Sequence, residues 1–214
     1  MPESLKPEHV RPLRLESVIV GYWRLFTHRN FVGYALTGGF MMAGTFAYIA
    51  GLPFVIVKIY GYPDYVFSWV FGINAVGFII ASQVNVRAQR TYSPERVLLT
   101  ALLLQMAAAA VFVIDVIAGW GGIWGILVPL FVWIATMGFV IPNTTGLAMQ
   151  PFAANAGAAS AMLGVLQFVL AALSSGLVAA AADGTALPMV GCMALFSLIA
   201  LAINRCVVKR AVKA

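Results

Sequence analysis

Residues 31–57 read FVGYALTGGFMMAGTFAYIAGLPFVIV, without one charged side chain. About 20 mostly apolar residues are enough to cross the hydrocarbon core of a bilayer as a helix. Five more uncharged stretches follow, at residues 65–86, 97–114, 116–150, 154–182 and 184–204. The third is close to the lower limit for a span. The fourth is too long for one simple crossing, so part of it is expected to be loop. The reading is an all-α membrane protein with six transmembrane helices.

Composition agrees. Hydrophobic residues make up 62% of the chain and charged residues 9%, against roughly 25% charged in a soluble domain. So few charges could not cover a surface facing water, whereas lipid accepts apolar residues outside as well as inside.

The basic residues set the expected orientation, because Lys and Arg concentrate in short cytoplasmic loops. Lys6, Arg11, Arg14, Arg24, Arg29, Arg87, Arg90, Arg96, Arg205, Lys209, Arg210 and Lys213 fall on one side of the six spans, and Lys58 alone falls on the other. Both termini are therefore expected in the cytoplasm. The net charge of +6 then reflects topology and attraction to anionic headgroups, and nucleic acid is not an expected partner.

Residues 1–30 are polar and proline-containing, with no early apolar core of a cleavable signal. They read as a cytoplasmic linker. Leu15, Val18, Ile19, Tyr22 and Phe26 recur there at helical spacing beside Arg24, His28 and Arg29. That pattern suits an amphipathic helix on the inner leaflet, or an extension of the first span into water. Residues 31–208 form the bundle and 209–214 a basic tail. Cys192 and Cys206 are separated by about 21 Å of helix, too far for a disulfide, and read as packing residues.

Small residues recur every fourth position in the first span, at Ala35, Gly39, Ala43, Ala47 and Gly51. The fifth repeats the device at Ala156, Ser160 and Gly164 and at Ala172, Gly176 and Ala180, and Gly121 and Gly125 form a further pair. Such stripes let helices approach closely. Pro53 and Pro142 stand at matching depths of the first and fourth spans, a faint sign of three helices followed by three of opposite orientation, as in transporters.

No ionisable residue lies within the spans, where such residues are costly and usually functional. An intramembrane serine hydrolase would need a base near Ser174 or Ser175, and a metalloprotease would need His and carboxylate ligands. Neither set is present, so no enzyme, cofactor or metal is expected. Proton coupling by these spans alone is not expected either. What remains at membrane depth is neutral: Tyr48, Asn74, Asn143, Thr144, Thr145 and Gln167, with Phe46, Phe71 and Phe168 as flat apolar surfaces. Tyr48, Asn74, Asn143, Gln167 and Phe168 are the candidate substrate-binding residues. Each also has a plain reading as interhelical glue or packing. An apolar cavity with a few amides suits an uncharged, amphiphilic small molecule.

The run Pro2-Glu3-Ser4-Leu5, then Leu25-Phe26-Thr27-His28-Arg29 and Gly33-Tyr34, precede and enter the first span. Phe46-Ala47-Tyr48-Ile49-Ala50-Gly51-Leu52-Pro53-Phe54-Val55, Phe71-Gly72-Ile73-Asn74-Ala75, Ser82-Gln83-Val84-Asn85, Ile141-Pro142-Asn143-Thr144-Thr145, and Ala156-Gly157-Ala158-Ala159-Ser160-Ala161 with Leu166-Gln167-Phe168 follow in order. Together they resemble the end of the sixth helix and then the seventh, eighth, tenth and eleventh helices of the bicyclomycin-resistance/CflA multidrug efflux group of the major facilitator superfamily. The resemblance implies a twelve-helix drug–proton antiporter of the bacterial inner membrane, of which this chain would be the C-terminal half. Its partner would be the missing N-terminal half or a second copy. Residues 85–96 resemble a weakened form of the superfamily's Gly-x-x-x-Asp-Arg loop, with Asn85 in place of the Asp. A membrane interaction or scaffold subunit without transport is the alternative reading.

Overall fold

A computed structural model describes residues 22–208 of the protein. Its spans are α1 (Arg29–Phe54), α2 (Asp64–Ala88), α3 (Pro94–Ala118), α4 (Gly122–Met149), α5 (Ala156–Ala180) and α6 (Leu187–Ile203). Wider π-helical turns extend α1 over Val55–Ile59 and α6 over Asn204–Val208, and a tighter 3-10 stretch, Gln150–Asn155, joins α4 to α5. All six are long and apolar enough to cross a membrane. A helix of 25 residues, such as α2, is about 37 Å long, more than the roughly 30 Å of hydrocarbon it must span.

The six uncharged stretches thus correspond to six helices, but the helices run past the charges that delimited them. Helix α3 takes in Glu95, Arg96 and Asp115 in its end turns. The long fourth stretch divides at Gly119, whose left-handed backbone (φ 68°) closes α3. Of the proposed amphipathic helix, residues 22–27 are helical, with Leu25 buried and Trp23 and Phe26 exposed. Its Leu15, Val18 and Ile19, most of the linker and the tail at 209–214 lie outside the described residues.

Apart from α3 with α4, packing skips sequence neighbours. Helix α1 packs chiefly on α5, α6 and α4, while α4 packs on α3, α2 and α1. Exchanging α1 with α4, α2 with α5 and α3 with α6 leaves this pattern unchanged. Three crossings separate each pair, so the related helices run in opposite directions. This is the inverted arrangement that Pro53 and Pro142 hinted at.

Trp133 is the hub of the core. It is fully buried, its indole Nε1 donates to Ser197 Oγ of α6 (2.9 Å), and its carbonyl accepts from Gln105 Nε2 of α3 (3.3 Å). Its ring lies against Gly44 of α1, where an added Cβ would come within 2.6 Å of it. The small-residue stripe of α1 is buried throughout. Gly39 faces Leu170 and Gly51 faces Met189, and the Ala43 carbonyl accepts a 2.6 Å hydrogen bond from Ser174 Oγ of α5.

The other stripes differ from expectation. On α5, Ser160, Ala172, Gly176 and Ala180 are exposed, and Gly164 and Gly176 have open space where a side chain would stand. The buried line of α5 is Ala159, Leu163, Ala171, Ser174 and Val178, because larger anchors and the Ser174 hydrogen bond choose the face toward α1. Gly121 and Gly125 receive a carboxylate, not a helix. Asp115 Oδ1 accepts from the Gly121 N–H at 2.9 Å, and a Cβ at Gly125 would collide with the same group.

Coverage is uneven. In the most apolar window of each span, 22% of residues are buried in α2 and 28% in α5, against 39–50% in the other four, so α2 and α5 carry the least covered faces. Exposed Tyr65, Trp69, Trp120 and Trp124 ring one end of the bundle, and Trp23 and Tyr92 stand at the basic end. Aromatic belts of this kind mark the two membrane–water interfaces.

Candidate functional site

Tyr48 of α1 and Asn74 of α2 are both buried and touch each other, with the amide Nδ2 donating to the phenol oxygen over a long 3.4 Å. Phe71, one turn before Asn74, stacks on the Tyr48 ring with centroids 6.2 Å apart and planes within 9°. Asn74 also lines a cavity of about 260 Å³ between α2 and α4, whose other walls include Val70, Leu127, Trp124 and Phe131. This is an apolar recess with one amide in its wall.

Gln167 of α5 and Thr144 of α4 meet at Gly38 of α1. A Cβ at Gly38 would lie 2.9 Å from Thr144 Oγ1 and 3.5 Å from Gln167 Nε2. Next to Gln167, Phe168 is mostly exposed and meets Phe46 of α1 edge-to-face at 6.2 Å. Asn74 and Gln167 hold related places under the inverted repeat. Each sits near the middle of a helix that flanks the central pair, Asn74 on α2 against Tyr48 of α1 and Gln167 on α5 against Gly38 of α1.

Asn143 lies elsewhere. Its Nδ2 donates to Asn85 Oδ1 of α2 (2.8 Å) and to the Phe139 carbonyl (2.7 Å), while its Oδ1 accepts from Gln89 Nε2 (3.1 Å). The amide is buried and engaged by the end of α2. So Tyr48 with Asn74, Gln167 with Thr144, and Asn143 with Asn85 and Gln89 are three separate clusters. Gln89 and Asn85 were missed as functional candidates because residues 85–96 read as loop, whereas α2 continues to Ala88. Four-residue spacing from Asn85 to Gln89 on one helical face was the available signal.

No cluster of three or more metal-ligating side chains occurs among the described residues. Acidic side chains of the described residues stand at span ends or in loops. Asp183, in the α5–α6 loop, is held below the usual carboxylate range by hydrogen bonds from the Thr185 hydroxyl (2.7 Å) and backbone N–H (2.9 Å).

Comparison with known proteins places this geometry. No family model matches the chain. An uncharacterised major facilitator transporter of Bacillus subtilis is 35% identical over 187 residues, 87% of this chain and 46% of its own length. A bicyclomycin resistance protein homologue of Haemophilus influenzae is 27% identical over 189 residues, 88% of this chain and 47% of its own. The chain is a relative of the major facilitator transporters. It spans about half the length of the curated relatives it matches. The six-helix inverted repeat is accordingly one half of a major facilitator fold in a multi-pass membrane protein. Within that half, α1 and α4 are central and α2 and α5 flank them.

Proposed function

We propose that the chain forms the C-terminal half of a proton-coupled efflux transporter for uncharged, amphiphilic, drug-like molecules, and that it is not an enzyme. The observation that carries this reading is the pair of amides, Asn74 and Gln167, each near the middle of a helix that flanks the central pair, with Asn74 against the Tyr48 phenol of α1. Tyr48, Asn74, Gln167 and Phe168 would contact the substrate, with Phe46 and Phe71 as apolar surfaces. Asn143, in its separate cluster, would hold α2 to α4 at the basic end of the bundle. The relative that carries bicyclomycin resistance in its name supports a drug as substrate class. The acidic side chains of the described residues stand at helix ends or in loops, so the proton-coupling group would belong to a companion half.

The companion would cover the open faces of α2 and α5, and is either an N-terminal half or a second copy. The basic end would face the cytoplasm of a bacterial cell at its inner membrane, with both termini inside. Drug susceptibility tests the reading. Cells producing the chain with the N-terminal half of a relative should tolerate more bicyclomycin than cells producing either alone, and Asn74→Leu should reduce the gain. No gain in any combination would refute transport and favour the second reading, a membrane interaction subunit, which the outward small-residue face of α5 also suits.

A further inference from the structure

One groove on the bundle lies apart from Asn74 and Gln167. It has a volume of about 540 Å³ and lies between α3, α4 and the end of α2. Its long wall is the α3 stripe Arg96, Thr100 and Leu104, with Val97 and Ala101 beside it. Thr136 and Phe139 of α4 form the floor, and Ala88 and Tyr92 form the rim at the basic end.

The chemistry of the groove is graded along its length. Arg96 and Tyr92 are exposed at the mouth. Deeper in, the two threonine hydroxyls are taken by backbone carbonyls, Thr100 Oγ1 by Arg96 (3.0 Å) and Thr136 Oγ1 by Trp133 (2.6 Å). Their methyl groups are left to join Val97, Ala101, Leu104 and Phe139 in an apolar wall. From Arg96 to Leu104 the stripe runs about 12 Å along the helix axis, parallel to the direction in which lipid tails lie. Arg87 on the last turn of α2 and Arg90 in the turn beyond it are exposed at the same end. A basic mouth at the interface over an apolar slot is the form of a site for an anionic headgroup and its acyl chain.

We propose that this groove binds one anionic phospholipid, with Arg96 on the headgroup phosphate, Tyr92 at the rim, and an acyl chain along Thr100 and Leu104. A free phosphate would leave the apolar wall unused, so the occupant is the lipid. Bound there, it touches Ala88 and Phe139, the neighbours of the Asn85–Asn143–Gln89 cluster, and buttresses the contact of α2 with α4.

Native mass spectrometry of the full chain in mild detergent tests this, with phosphatidylglycerol and phosphatidylcholine of identical acyl chains as probes. Both lipids carry the phosphate, but only phosphatidylglycerol lacks a choline cation to neutralise it, so it should be retained about tenfold more strongly, the order expected of a charge-assisted contact. Arg96→Gln, an exposed position, should bring the two lipids to within about twofold of each other. Leu104→Trp fills the slot with Arg96 intact and should also lower phosphatidylglycerol retention, while Arg205→Gln, exposed on α6 at the same end, should change nothing. Equal retention of the two lipids, or a preference unchanged in Arg96→Gln, would overturn the proposal. Loss in Arg96→Gln with full retention in Leu104→Trp would mean diffuse surface charge and would overturn it as well.

Discussion

At the scale of single residues, glycine positions report where backbones and rings meet most closely. Gly44 admits the Trp133 ring, and a Cβ there would stand 2.6 Å from a fully buried indole. Overpacking a filled core costs about 1–3 kcal/mol, so Gly44→Ala should lower the midpoint of thermal unfolding in detergent. An unchanged midpoint would show that Trp133 moves aside freely. Asp183 gives a pH prediction. Its folded pKa is depressed by Thr185, so its contribution is present above the unfolded carboxylate pKa and fades as pH falls through the folded value. Thr185→Ala removes the hydroxyl donor, and titration followed by carboxyl NMR should show the Asp183 midpoint rising toward the ordinary range. The identity of the neutral polar residues was legible in the sequence, but their partners were not. Asn143 reads like Asn74 on paper. In the fold it faces the end of α2, because only three-dimensional packing decides which helix an amide meets.

At the scale of helices, charge gaps located all six spans, because no charge could enter the hydrocarbon without a partner. They did not locate the ends, since Arg96, Glu95 and Asp115 sit comfortably in terminal turns near water. Nor did four-residue spacing reveal which small-residue stripes were buried. A stripe of Gly and Ala is equally regular whether it faces a helix or faces outward. The stripe of α1 is closed by Leu170, Met189 and Ser174, while that of α5 is left open at Gly164 and Gly176. A paired substitution separates the two cases. Gly51→Leu should destabilise the bundle by about 1–3 kcal/mol, since a Cβ already meets Met189 at 2.7 Å. Gly176→Leu should leave unfolding within about 0.5 kcal/mol of the parent, as surface changes usually do. It should nevertheless reduce crosslinking of α5 to a companion half or second copy. Equal destabilisation by both would mean that α5 is packed on both faces.

At the scale of the whole molecule, the inverted repeat relates the proposed substrate contacts Asn74 of α2 and Gln167 of α5, which stand in separate clusters. The central pair α1 and α4, flanked by α2 and α5 with their least covered faces, is the frame on which the proposed substrate contacts hang. The efflux rate of a fluorescent neutral amphiphile tests that frame most directly, in cells producing this chain together with the N-terminal half of a relative. Efflux should exceed that of either piece alone, and Asn74→Leu and Gln167→Leu should each slow it about fivefold, the effect of losing one hydrogen bond of roughly 1 kcal/mol. Efflux that is absent in every combination, or unaffected by both substitutions, would contradict a substrate path between the two repeat-related amides.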